Sequence, residues 1–94
     1  LETQAYHLSL FITGASPNSV RAINNIKCIC EKYLPGNYEL EIIDVYQIPE
    51  IAQIEQIIAL PTLIKKGPSP ERRMVGDMSD TAKVLRGLGI VIKD

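Results

Sequence analysis

Cys28 and Cys30, the chain's two thiols, stand two residues apart. Within a helix that spacing turns one side chain about 200° from the other, a poor geometry for a disulfide. Cys30 therefore reads as a core residue and Cys28 as an exposed thiol. A zinc site fails for want of ligands, because His7 is the only histidine and no second cysteine pair completes a tetrahedron. Ser16 lacks an identifiable base, with His7 upstream in another segment, so acyl transfer is not expected. Asp44 and Asp77 fall in different segments, and nothing in the sequence sets them at the separation of paired catalytic carboxylates. Arg72 and Arg73 are adjacent cations of the kind that hold phosphate, yet no glycine-rich loop or basic surface accompanies them. No metal or cofactor is expected, and a thiol oxidoreductase acting through Cys28 is the enzymatic reading that these residues leave open.

The 94 residues are enough for one domain with a modest core, taken as residues 1–94. Apolar residues make up 46% and charged residues 22%, a soluble globular composition. The net charge of -1 argues against a nucleic-acid partner, whose recognition rests on a phosphate-neutralising field. No apolar run approaches the roughly 18 residues that cross a bilayer, and no Lys/Arg-led signal opens the chain. A cytoplasmic protein is expected.

The elements that position these residues follow from periodicity. Tyr6 to Thr13 places Tyr6, Leu8, Leu10 and Ile12 on one face and Phe11 on the other, as in an internal strand covered on both sides. Gly14 permits a turn, Ser16 suits an N-cap and Pro17 the first helical position. The helix runs to Tyr33 with a stripe of Val20, Ile23, Ile26 and Cys30, widened by Ala22, Ile29 and Tyr33. Pro35 and Gly36 end it, and "YELEIIDVY" reads as a strand parallel to the first through a right-handed crossover.

Beyond Gln47 local preferences conflict. Pro49 and Glu50 open a helical spacing of Ile51, Ile54, Ile57 and Ile58, but isoleucine is β-branched and fits strands well. Leu60 to Lys65 reads as a strand entered through Pro61, Gly67 to Pro70 as a turn, Arg72 to Val75 as a short strand and Gly76–Asp77 as another turn. Ser79 can cap a last helix carrying Asp80 in its first turn, with Val84, Leu85 and Leu88 buried and Lys83 and Arg86 nearer its end. Gly87 and Gly89 weaken that helix, and "GIVIKD" reads as a strand.

The stretch "LFITGASPNS" now meets "ALPTLIKK". A strand–turn–helix opening followed by a proline before Thr-Leu resembles the thioredoxin fold, whose substrate-side proline is commonly cis. Leu60–Pro61 is accordingly the cis candidate. Thioredoxins carry a Cys-x-x-Cys pair at the helix start. Ala15 and Asn18 stand at the comparable positions here.

A closer resemblance covers nearly the whole chain. "LFITGASPNSVRAI", "ELEIIDV", "ALPTLIKK", "ERRMVGDMSD" and "KVLRGLG" occur in the order and spacing of the KaiB family of circadian-clock proteins. The resemblance implies a non-enzymatic regulator that docks on the ring of a KaiC-like ATPase and kinase, with KaiA or a sensor histidine kinase as further partners. It also implies two folds: a thioredoxin-like βαβαββα monomer, and a ground-state βαββααβ arrangement in homodimers or homotetramers. The segments whose local preferences conflict, Ile48–Leu60 and Gly87–Ile92, lie in the half that changes. A stress-response adaptor with a thioredoxin-like fold is the alternative that the same residues allow.

Carried onto this sequence, the resemblance marks Arg21, Lys65, Arg72 and Arg73 as partner or subunit contacts. It marks Tyr6, Pro61, Gly76, Asp77, Gly87 and Gly89 as structural or switch positions. Each basic residue has a plainer reading: Arg21 on the solvated side of a helix, Lys65 as an edge-strand charge, Arg72 and Arg73 as solvent face. The chain departs from the family's pattern in Pro68-Ser69-Pro70-Glu71, where a triple proline and an apolar residue are usual, and in Gly89, where aspartate is usual. Asn24, Glu41 and Gln56 replace lysines, which weakens steering towards an acidic partner.

Overall fold

The computed structural model describes residues 5–90. Its elements are β1 (Tyr6–Ile12), α1 (Pro17–Tyr33), β2 (Tyr38–Asp44), α2 (Pro49–Ile54), β3 (Thr62–Gly67), β4 (Arg72–Val75) and α3 (Thr81–Leu88). The sheet order is β2-β1-β3-β4. β2 runs parallel to β1 in register from Tyr6 opposite Tyr38 to Ile12 opposite Asp44. β3 is antiparallel to β1, and β4 to β3. The order of elements is the βαβαββα of the expected thioredoxin-like state.

Strand alternation separates two faces. On one, Leu8, Leu10 and Ile12 of β1, with Leu63 and Met74, pack against Ala22, Ile26, Ile29 and Cys30 of α1 and Val84, Leu85 and Leu88 of α3. Each such fully buried aliphatic side chain contributes about 1.5–3 kcal/mol relative to exposure. The opposite face carries His7, Ser9 and Phe11 of β1, Glu39, Glu41 and Ile43 of β2, and Ile64 and Lys66 of β3. Phe11 and Ile64 are buried there, as the non-alternating Phe11 implied.

α1 begins as expected, with Ser16 as N-cap accepting from the Ser19 N–H and Pro17 in the first turn. Its buried stripe is displaced from the expected one. Ser19, Ala22, Ile26, Ile29 and Cys30 face the core, whereas Val20 is exposed. Ser19 is 0% exposed because its hydroxyl is satisfied locally, accepting from the Thr13 N–H at 3.1 Å and from the Ser16 hydroxyl at 2.8 Å. A pattern read from apolar residues alone passes over such a serine.

The cap of α3 also shifts by one residue. Ser79 spends its N–H on Asp77 Oδ1 at 3.1 Å, and Asp80 caps the helix by accepting from the Lys83 N–H at 3.1 Å. Gly87 lies inside α3, packed against Met74, and Gly89 closes the helix in the left-handed region at φ +78°. The Gly89 and Ile90 N–H groups return to the Arg86 and Leu85 carbonyls at 3.1 and 2.9 Å, a paired closure that draws Ile90 onto the core. Gly89 and Ile90 thus close a helix rather than open a strand; residues 91–94 of the expected strand lie outside the described residues.

α2 is the shortest helix, six residues, and none of them is buried. Ile57 and Ile58, expected on its apolar stripe, fall beyond its end, and Ile58 is 97% exposed. The β-branched side chains that made this segment ambiguous here neither extend a helix nor join the sheet.

Candidate functional site

The turn between β1 and α1 is braced from three sides. Asp44 Oδ1, at the end of β2, accepts from the Gly14 N–H at 3.1 Å and the Tyr46 N–H at 2.9 Å. The Tyr46 ring lies against Gly14, close enough that a Cβ there would meet it at 3.8 Å. Thr13, Ser16 and Ser19 form the hydroxyl network already described. Where a thiol pair would stand, Ala15 and Asn18 present a methyl group and an amide, the latter bonded to the Arg21 guanidinium.

Pro61 follows a cis bond with Leu60, as anticipated, and its carbonyl accepts from the Gly76 N–H at 3.0 Å. That bond carries the β4–α3 turn to the mouth of β3. Asp77 then reaches α1: its Oδ2 lies 3.3 Å from Arg21 Nε, and its carbonyl accepts from Asn25 Nδ2 at 2.9 Å. Hydrogen bonds from Ser79, and then the Arg21 charge, hold the Asp77 carboxyl below the usual aspartate value despite some opposing desolvation. Val20, Tyr46 and Ile48 are exposed apolar side chains of the same α1-start and β2–α2 region. The result is a surface of backbone, hydroxyl, one ion pair and bare hydrocarbon. It suits docking.

The other basic candidates lie elsewhere. Lys65 pairs with Arg72 across β3 and β4, three residues or about 10 Å along β3 from Thr62. Both point to the α3 side. Lys65 is 4% exposed, and burial first, then the Arg72 charge, pushes its ammonium below the ordinary lysine value. A Cβ on Gly89 would sit 3.9 Å from Lys65 Nζ, so this lysine lies beneath the closing turn of α3. It is a core cation rather than an edge-strand charge. Arg73 points to the opposite face, donating to the Gln56 carbonyl at 3.2 Å and lying 3.9 Å from Glu71. Adjacent strand residues diverge in this way, so Arg72 and Arg73 do not form a joint phosphate fork.

Tyr6 opens β1, half-buried against the core, and anchors to the Asn37 carbonyl through its N–H at 3.0 Å. Arg21, Asp77, Gly76 and Pro61 are therefore brought together, whereas Lys65, Arg72, Gly87 and Gly89 form a separate group around α3. Asn25, Asp44 and Tyr46 were not anticipated as parts of the surface. The parallel register of β1 and β2, which sets Asp44 opposite Ile12, was the available signal for one of them.

Cys28 is exposed and Cys30 buried, both as free thiols. Burial first, and the neighbouring Glu31 charge second, push the Cys30 thiol up to about 11. Among the described residues no group of three or more His, Cys, Asp or Glu side chains could hold a metal ion, and no helix is long and apolar enough to cross a membrane.

The sequence model of the KaiB domain matches residues 9–90. A circadian clock oscillator protein KaiB of Prochlorococcus marinus subsp. pastoris is 44% identical over 91 residues, covering 97% of this chain and 85% of that one. One of Synechococcus sp. is 46% identical over 88 residues, covering 94% and 86%. Among solved structures, the N-terminal domain of Synechococcus elongatus SasA superposes with a TM-score of 0.74 at 22% identity, over 95% of this chain and 88% of that one. Chloroplastic thioredoxin z gives 0.73 at 19%, over 92% and 77%. These two likenesses establish a thioredoxin-like fold.

Proposed function

The chain belongs to the KaiB family, and from that premise we propose that it is a non-enzymatic regulatory binding protein that docks on a KaiC-like ATPase ring and modulates its phosphorylation cycle. The observation that carries this reading is the corner around Arg21 and Asp77. There a thioredoxin-like helix start is retained, while Ala15 and Asn18 stand where redox thiols would be. Such a surface binds through shape, apolar contact and a few charges.

In this reading the βαβαββα arrangement is the docking form. The free protein also populates the βαββααβ arrangement as a homodimer or homotetramer. Tyr6, Pro61, Gly76, Asp77, Gly87 and Gly89 then serve as positions that weigh one fold against the other. The exposed Tyr46, Ile48, Ile54, Ile58 and Val75 support a form in which more apolar surface is covered. A minor docking form lowers apparent affinity by its own fraction, and oligomerisation adds a concentration dependence. KaiA or a sensor histidine kinase are the further partners of this reading, and the cytoplasm its place of action.

The test is capture from host lysate with and without ATP. A KaiC-type ATPase retained only with nucleotide, and reduced at least fivefold by Arg21→Ala, is the expected result. Retention of an unrelated protein with no KaiC-type ATPase would overturn it and favour a thioredoxin-like adaptor in stress response. Glu41, Asn24 and Gln56, uncharged or acidic where the family has lysines, are the residues that keep that second reading in play.

A further inference from the structure

The face of the sheet opposite α1 and α3 is only half covered. α2 is tied to its β3–β4 side, where Lys66 Nζ meets Glu55 Oε1 at 2.8 Å and Arg73 meets the Gln56 carbonyl at 3.2 Å. Over β1 and β2 this leaves an open groove of about 620 Å³, with Phe11, Ile43 and Ile51 supplying apolar lining. Its rim is acidic. Glu39, Glu41 and Glu55 line it together with His7 and Lys66. Each of the two basic groups already faces a carboxylate, His7 Nδ1 lying 3.1 Å from Glu39 Oε1. With His7 neutral, three carboxylates face one ammonium. Ser9 lines the groove as well and is 7% exposed.

A sheet face of this kind is completed by a helix laid across it. We propose that the groove over β1 and β2 docks a basic amphipathic helix of a partner protein. The helix's apolar stripe would meet Ile43 and Ile51 above the buried Phe11, and its lysines or arginines would meet Glu39 and Glu41. The 7-residue lengths of β1 and β2 give a platform of roughly 23 Å, which accommodates about four helical turns. This site lies on the opposite face from α1, so its occupancy is separable from docking through Arg21.

The probe is a capped 14-residue peptide of leucine and lysine at helical spacing, with a leucine–glutamate peptide as control. Titration into the ¹⁵N-labelled protein at 0.15 M salt should shift the amides of His7, Ser9, Glu39 and Glu41 with the lysine peptide only. The double variant Glu39→Gln/Glu41→Gln should weaken binding at least threefold. Glu31→Gln/Glu71→Gln, which removes the same charge elsewhere, should weaken it less than twofold. Shifts confined to other surfaces, equal response to the glutamate peptide, a smaller loss in the groove variant, or an equal loss in both variants would each overturn the proposal. So would protection of the same amides by a second copy of the chain, seen as concentration dependence without peptide.

Discussion

Arg21 Nε lies 3.3 Å from Asp77 Oδ2, joining α1 to the β4–α3 turn across 56 positions of sequence. The same carboxylate accepts from the Ser79 N–H, and Ser79 is the larger cause of its lowered pKa. Asp77→Ala should therefore lower the urea midpoint at pH 7 more than Arg21→Ala does. Because the folded carboxyl titrates below its unfolded value, its contribution is present above the unfolded pKa and is lost as pH falls through the folded one. The gap between Asp77→Ala and the parent should hold at neutral pH and close below about pH 4. A gap that widens on acidification would contradict this.

Lys65 carries the opposite sign. Burial and Arg72 disfavour its charged form, so the folded protein binds that proton less tightly than the unfolded chain does. Lys65→Met should raise the melting temperature at pH 7. Its advantage should shrink as pH rises from the folded value to the ordinary 10.5. Gly89→Asp brings a carboxylate towards the same ammonium, at the expense of a left-handed residue with a side chain. A double-mutant cycle should show Gly89→Asp more favourable beside Lys65 than in the Lys65→Met background, by about 0.5–3 kcal/mol.

The thiols should separate cleanly by reagent access. At pH 8 a disulfide reagent should titrate Cys28 within minutes in the native protein and reach Cys30 only on denaturation, since Cys30 is buried and its thiol is raised to about 11. An insulin-reduction assay should show no turnover, with Cys28→Ser indistinguishable from the parent. Turnover abolished by Cys28→Ser would restore the oxidoreductase reading.

Gly87 offers a test whose sign depends on its neighbour. A Cβ there overlaps the Met74 sulfur and comes within 3.0 Å of Met74 Cγ. In the Met74→Ala background Gly87→Ala should stabilise α3 by about 1 kcal/mol, the ordinary helix-propensity gain. In the parent the forced movement of Met74 should offset that gain wholly or more than wholly. Urea unfolding of the four proteins settles the order.

Core and exposed isoleucines should differ sharply. Ile26 is fully buried, and Ile26→Ala should lose about 2–5 kcal/mol. Ile58→Ser should change stability by less than about 0.5 kcal/mol in this fold. A large loss at Ile58 would mean that the isolated protein buries it in another arrangement.

The order of elements was legible because each announces itself locally: Ser16-Pro17 starts α1, Pro61 opens β3, and Gly76–Asp77 turns β4 into α3. Two errors of phase have one cause. Ser19 and Asp80 take structural positions through hydrogen bonds, and apolar periodicity does not register hydrogen bonds. The closing turn of α3 was missed because "GLGI" has poor helix propensity, while its two carbonyl closures and the burial of Ile90 are tertiary. Of the basic residues, the plainer edge-charge alternative for Lys65 fails because β4 lies outside β3, which the sequence does not say. The contact between Arg21 and Asp77 depends on α1 and the β4–α3 turn meeting, which only the assembled sheet decides.

Since α2 sends no side chain into the interior, its amides are held by little beyond their own short ladder. Hydrogen exchange should find the stretch from Pro49 to Leu60 opening far below the free energy of global unfolding, while the amides of β1 and α1 exchange last. A chain organised in this way can let go of its middle without surrendering the first strand–helix–strand unit. Under the proposed exchange of folds, rearrangement of the second half would begin from a partly melted native state rather than from a random coil.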